Sequence, residues 1–192
     1  FSTDESGENI LQKFYKDQEK YSFSFQMMAY ISRLHKLKSV IDTSKKKVTV
    51  IITERSVFTD YEIFAKMLYN DGKIETINFT IYKMWFSEFI KDIPFKGVIY
   101  IKTDPTLCSE RISIRNRQGE NISLDYLEKC HEYHEKWINK LSESSKLVID
   151  GNKDKADSLT SNINQIIEYL KNELLNSCGL VIQFSPSRSL SG

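Results

Sequence analysis

The sequence has no apolar run approaching the roughly 20 residues that a membrane-spanning helix needs, so nothing in its hydropathy points to a bilayer. Cysteine is scarce: Cys108, Cys130 and Cys178 are odd in number and show no CxxC spacing. They are read as reduced thiols in a cytosol-like compartment, which makes the cytoplasm the expected location and leaves the mitochondrion open. Excess charge is missing too. Twenty-seven Lys and Arg face 26 Asp and Glu, a net charge of +1, so bulk electrostatics imply neither a nucleic acid nor an anionic membrane as partner. There is no internal repeat and no low-complexity segment inside the part expected to fold. The opening FSTDESGEN is polar and lacks an initiator Met, a signal-peptide core or a starting strand.

What is present describes a packed globule. The chain has 192 residues, 40% apolar and 12% aromatic, enough to bury a sizeable core. One domain is expected over 1–175. The Ser-rich close, 176–192, follows a terminal helical pattern and is expected to be a disordered tail outside the fold.

Three stretches read as buried strands: KVTVIIT (47–53), GVIYIK (97–102) and KLVID (146–150). Each is apolar on consecutive positions instead of alternating, as strands covered on both faces are. Helical spacing runs over 23–41, with Phe23, Met27, Ile31, Leu34, Leu37 and Ile41 at steps of three and four. Helices are also expected over 60–69, 74–90, 124–141 and 156–175, and from about 106 to 117 after Pro105. Strands alternating with helices imply an α/β fold with a parallel sheet covered by helices on both faces.

The first strand ends on a charged pair, Glu54 and Arg55, just where open α/β sheets bind ligands. The alternative is a surface ion pair. In RISIRNR, Arg111 and Arg115 lie four apart on one helical face and Arg117 lies just beyond. Three guanidiniums so close repel one another, and they suit a phosphoryl group whose charge they can neutralise. A solvated basic helix partnered by Glu110 and Glu120 is the other reading. In SFQMMAYISR, Gln26, Ala29 and Arg33 share a face. Gln26 offers a donor and an acceptor to a base edge, and Arg33 can reach a carboxylate on another segment, with Asp60 the candidate. An amphipathic helix with a polar margin explains the same pattern. HEYHE, 131–135, has its histidines three apart, one short of the zinc-protease HExxH, and reads as an exposed polar helix face.

Taken together these blocks resemble the deoxynucleoside kinase family, deoxycytidine and deoxyguanosine kinases in particular. The resemblance spans about 7–154 and rests on GENILQKFYKDQEKYSFSFQMMAYISR, ERSVFTDYEIFAKMLY and RISIRNRQGENISLDYLEKCHEYHEKW, in that order. It implies transfer of the γ-phosphoryl group of ATP or another nucleoside triphosphate to the 5′-hydroxyl of a deoxynucleoside, in nucleotide salvage, with Mg²⁺ and as a homodimer. Glu54 and Arg55 match the acidic-Arg pair near the metal-bound phosphates and the 5′-hydroxyl, with Glu54 the implied metal ligand. Arg111, Arg115 and Arg117 match the arginines of the lid over the donor phosphates. Gln26 matches the residue that bonds the base, Ala29 a small residue of that pocket, and Arg33 with Asp60 the polar pair beside the base. Tyr15 matches the tyrosine on the sugar 3′-hydroxyl, Phe64 the aromatic stacked on the base, and Glu120 the lid glutamate that reaches the same hydroxyl. Asp154 matches a contact to the donor's base. Relatives that prefer thymidine have apolar or small residues at the Arg33 and Asp60 positions, so the pair implies deoxycytidine or a purine deoxynucleoside.

One family element has no counterpart. The family begins with a strand leading into a glycine-rich P-loop ending in Gly-Lys-Ser/Thr, followed by a general-base glutamate on the next strand, and no GxxxxGK[ST] occurs in the 192 residues. The natural protein is therefore expected to carry a further N-terminal portion, without which the strands at 47–53 and 97–102 lose the neighbour between them. The alternative expectation is a catalytically inactive relative that binds a nucleoside or serves as a structural subunit.

Overall fold

The computed structural model describes residues 7–44, 50–116, 122–175 and 180–186. They group into two compact units, one formed by 1–45 with 57–93 and the other by 46–56 with 94–192.

The first unit is helical. Helix α1 (Ile10–Lys16) opens with a capping box: Asn9 accepts from the Gln12 amide at 3.0 Å, and the Gln12 side chain accepts from the Asn9 amide at 2.9 Å. The long α2 (Gln18–Ser44) follows. Phe14 of α1 stacks on Phe25 of α2 with ring centroids 4.6 Å apart. After the short α3 (Val57–Thr59) the chain continues without a break into a π-helical turn, Asp60–Ala65, and then α4 (Lys66–Asn70). Helix α5 (Thr76–Phe89) packs its Tyr82 and Phe86 against Tyr30 of α2, at centroid distances of 5.5 and 6.2 Å.

The second unit holds the sheet: β1 (Val50–Glu54), β2 (Phe95–Lys102), β3 (Lys146–Asp150) and β4 (Leu180–Pro186), all parallel, in the order β1-β4-β2-β3. Three helices accompany it: α6 (Pro105–Arg115), α7 (Leu124–Ile138) and α8 (Lys155–Leu175). Pro105 opens α6 as its position suggests, and Asn116, in the left-handed region at φ 45°, ends it. Successive residues of β2 explain its unbroken apolar run. Ile99 belongs to a core with Ile149 and with Ile166, Tyr169 and Leu170 of α8, while Tyr100 points the other way and stacks on His134 of α7, with centroids 5.7 Å apart. Helices therefore lie on both faces of the sheet, as the alternation of elements implied.

Two expectations are corrected here. Within the close at 176–192, expected to lie outside the fold, Leu180–Pro186 form a strand. That strand pairs on both sides, Glu54 opposite Phe184 on β1 and Ile99 opposite Phe184 on β2. The two edges expected to lack a neighbour are thus joined through it. LVIQF has the same consecutive apolar character as the other buried strands, and its Ser-rich surroundings hide it. HEYHE is the other correction. His134 is 2% exposed and sits on the buried face of α7 with Leu127, Cys130 and Trp137.

Candidate functional site

In the second unit the carboxyl ends of the strands open into a cleft of about 690 Å³. Glu54 comes to its wall from the end of β1, Thr103 from the end of β2, and Asp150 with Gly151 from the end of β3. Arg111 and Arg115 enter from α6, and Lys153 from the turn before α8. Ile101, Ile112, Leu159 and Ile163 supply an apolar side. Residues widely separated in sequence, Glu54 on one side and Arg111 with Arg115 on the other, thus face one cavity.

Local chemistry fixes this arrangement. The Gly151 amide donates to the Lys102 carbonyl at 2.6 Å, and Arg111 Nη1 donates to the Gly151 carbonyl at 2.8 Å. A Cβ on Gly151 would lie 2.8 Å from the Lys102 oxygen and against Thr103 Oγ1, so the close approach needs glycine. The Asn152 side chain accepts from the Asp104 amide at 2.9 Å and ties this turn to the start of α6. The Asp154 carboxylate accepts from the Ala156 amide at 2.7 Å at the start of α8, so it serves a helix cap here.

Arg55 follows Glu54 directly and leaves the extended strand conformation at φ 58°, a region few non-glycine residues occupy and which marks local strain. It is 9% exposed and is not among the described residues of the cleft wall. Its charge is felt by His134. Burial, chiefly, and then Arg55 and His131 lower the His134 pKa to about 4, against a raising hydrogen bond to the Cys130 carbonyl. That bond, 2.7 Å from Nδ1, must have the ring nitrogen as donor, which makes Nε2 the bare acceptor of a neutral imidazole. Beside it, burial pushes the Glu135 carboxyl up, but the hydrogen bond and charge of Lys102 outweigh it and leave the group lowered. Lys102 Nζ donates to Glu135 Oε2 at 2.7 Å. Arg117 and Glu120 lie outside the described residues.

The first unit holds Tyr15, Gln26, Ala29, Arg33, Asp60 and Phe64, which the resemblance matched to nucleoside binding. Gln26, 1% exposed, has neither amide atom bonded among the described residues, so a donor and an acceptor are buried together without a partner there. One and two turns on, Ala29 is half-buried and Arg33 Nε donates to Asp60 Oδ2 at 2.8 Å, the pairing suggested by their reach. Asp60 and the buried Phe64 both sit on the π-helical turn, a feature concentrated at functional positions because it inserts an extra residue and re-aims side chains. Tyr15, on α1, is partly exposed. Burial first, and then the Asp60 charge, push Tyr30 up to about 12 and Tyr82 well above its usual value.

Sequence reasoning singled out neither Lys153 nor Gly151, and it placed His134 on an exposed face. Lys153 and Gly151 stood inside DGNKD, where a glycine before a basic residue at a strand end was a readable signal. His134 carried no signal that separates a buried histidine from an exposed one.

The family model for deoxynucleoside kinase matches residues 1–176. A probable deoxycytidine kinase of fowlpox virus (strain NVSL) is 38% identical over 178 residues, covering 85% of this chain and 74% of the viral protein. The deoxycytidine kinase of Homo sapiens is 33% identical over 181 residues, covering 86% and 70%. A mitochondrial deoxyguanosine kinase of Xenopus laevis is 35% identical over 140 residues, covering 69% and 53%. With its parallel sheet, its strand-end cleft and matches of this extent, the chain belongs to the deoxynucleoside kinase family.

Proposed function

We propose that the protein transfers the γ-phosphoryl group of ATP or another nucleoside triphosphate to the 5′-hydroxyl of a deoxynucleoside, deoxycytidine or a purine deoxynucleoside. The observation that carries this reading is the meeting of Glu54, Arg111 and Arg115 in one cleft at the carboxyl ends of parallel strands. Phosphoryl transfer asks the protein for positioning and charge stabilisation more than for covalent chemistry. In that scheme Arg111, Arg115 and Lys153 neutralise the donor phosphates, with Arg55 and Arg117 as further candidates and Asp154 near the donor's base. Gln26, Ala29, Phe64 and the Arg33–Asp60 pair receive the base, and Tyr15 and Glu120 the sugar. A charged pair beside the base supports cytosine or a purine over thymine.

The cleft fits a magnesium nucleotide chemically. No group of three His, Cys, Asp or Glu side chains among the described residues holds a metal by itself, and magnesium is commonly held by one or two carboxylates together with substrate phosphates. Glu54, at the end of β1 in the wall, would be such a carboxylate. When bound, the ion supplies positive charge to the transferring phosphoryl oxygens.

Helix α5 leaves Ile77, Ile81, Met84 and Trp85 exposed at steps of four, three and one, an apolar stripe that supports a homodimer through helix packing. The buried free thiols of Cys108 and Cys130 agree with a reducing compartment, and no described helix is long and apolar enough to cross a membrane.

The test is a γ-phosphoryl transfer assay across the four deoxynucleosides. Labelled 5′-monophosphate from deoxycytidine or a purine deoxynucleoside is expected. No product from any of the four would favour a relative that binds nucleosides without transferring phosphate.

A further inference from the structure

We propose that Ser22 is a specificity-determining contact of the bound base, reading it alongside Gln26. The proposal rests on the assignment of the first unit to nucleoside binding and adds a residue that assignment does not contain. Ser22 and Gln26 are four apart on α2, so their side chains lie on one face, with Cβ atoms about 5–6 Å apart. Ser22 is 0% exposed, and its Oγ, like both Gln26 amide atoms, has no hydrogen-bond partner among the described residues.

A buried helical serine has an easy internal partner in the carbonyl one turn back. Other helical hydroxyls in this chain take it: Ser113 donates to the Ser109 carbonyl at 3.0 Å, Thr80 to Thr76 at 2.8 Å and Thr43 to Ser39 at 3.1 Å. Ser22 does not. Leaving a buried hydroxyl unbonded is unfavourable in the free protein, so the position makes physical sense when something else supplies the partner. Three neighbouring polar atoms are then available: a hydroxyl that donates or accepts, an amide that donates and a carbonyl that accepts. The pairing edges of cytosine, adenine and guanine present donors and acceptors side by side, and such a cluster can match more than the two groups Gln26 alone engages. A base that offers nothing to Ser22 leaves the hydroxyl orphaned in the complex as well, which is how the position discriminates.

The experiment measures equilibrium binding of the four deoxynucleosides by calorimetry to the full chain and to its Ser22→Ala and Gln26→Ala variants, with the melting temperature of each free protein. For Ser22→Ala, Kd for the preferred nucleoside is expected to rise about tenfold, the ratio of affinities among the bases to change, and the melting temperature of the free protein to stay level or rise. Two results overturn the inference alone: Gln26→Ala weakens binding while Ser22→Ala matches wild type for all four, or Ser22→Ala lowers the melting temperature and weakens all four equally. If neither variant changes nucleoside binding, the assignment of this unit to the nucleoside falls as well.

Discussion

Arg33 Nε lies 2.8 Å from Asp60 Oδ2, across 27 residues of sequence, and Asp60 is only 2% exposed. A carboxylate so buried depends on its positive neighbour. Replacing Arg33 with Ala removes that charge, at a cost of about 3 kcal/mol. Asp60→Asn, which removes the need for a countercharge, is expected to cost less. Urea unfolding of the two single variants and the Arg33→Ala/Asp60→Asn double variant checks this. The double variant is expected to be more stable than the sum of the single losses, and simple additivity would show that the pair is not coupled.

His134 makes stability depend on pH. Its folded pKa is near 4, lowered chiefly by burial, whereas an unfolded histidine titrates near 6.5. Below 6.5 the unfolded chain takes up a proton that the folded one refuses. Stability from this group is therefore complete above about 6.5 and is lost as pH falls toward 4. By pH 5 the loss is roughly 2 kcal/mol. Glu135, lowered in the folded state, acts at more acidic pH, so a comparison with a variant lacking the imidazole between 6.5 and 5 isolates His134. Chemical denaturation of wild type and His134→Gln across that interval is expected to show a slope in the first and a nearly flat line in the second.

Gly151 joins the stability of the second unit to the placement of Arg111. Its added Cβ would press on Thr103 Oγ1 and the Lys102 carbonyl, and its own carbonyl accepts from Arg111. Gly151→Ala is expected to cost about 1–3 kcal/mol of stability, as overpacking does, and to weaken triphosphate binding. Calorimetric melting together with a nucleotide titration reads both. Unchanged affinity in a folded variant would separate the turn from the cleft.

The apolar stripe on α5 is tested by mass in solution. Met84 is 68% exposed, and Met84→Glu places a charge in the middle of the proposed dimer contact. Light scattering is expected to find wild type at twice the chain mass and the variant at one. Equal masses would remove α5 from the interface.

Much of this architecture was legible in the sequence, for identifiable reasons. Strands covered on both faces write long apolar runs, and β1, β2 and β3 could be read from theirs. The Arg33–Asp60 pair followed from helical spacing and side-chain reach. Helix α1 was overlooked although Asn9 and Gln12 spell its capping box. Strand β4 was hidden by its Ser-rich setting, and only its pairing with β1 and β2 reveals it. The π-helical turn at Asp60–Ala65 has no pattern of its own, since one inserted residue leaves the apolar spacing nearly unchanged. His134 shows the limit on the site: HEYHE alternates polar residues as a solvated face would, and the third dimension alone puts one of them against Tyr100.

The most direct test of the account is a calorimetric titration of wild type and the Arg111→Ala/Arg115→Ala variant with magnesium and a non-hydrolysable ATP analogue, at two salt concentrations. Wild type is predicted to bind the analogue more weakly as salt rises, and the double variant to lose at least about tenfold in affinity, with its circular dichroism spectrum unchanged. Equal affinity in the two folded proteins would contradict the claim that this cleft holds the donor's phosphates.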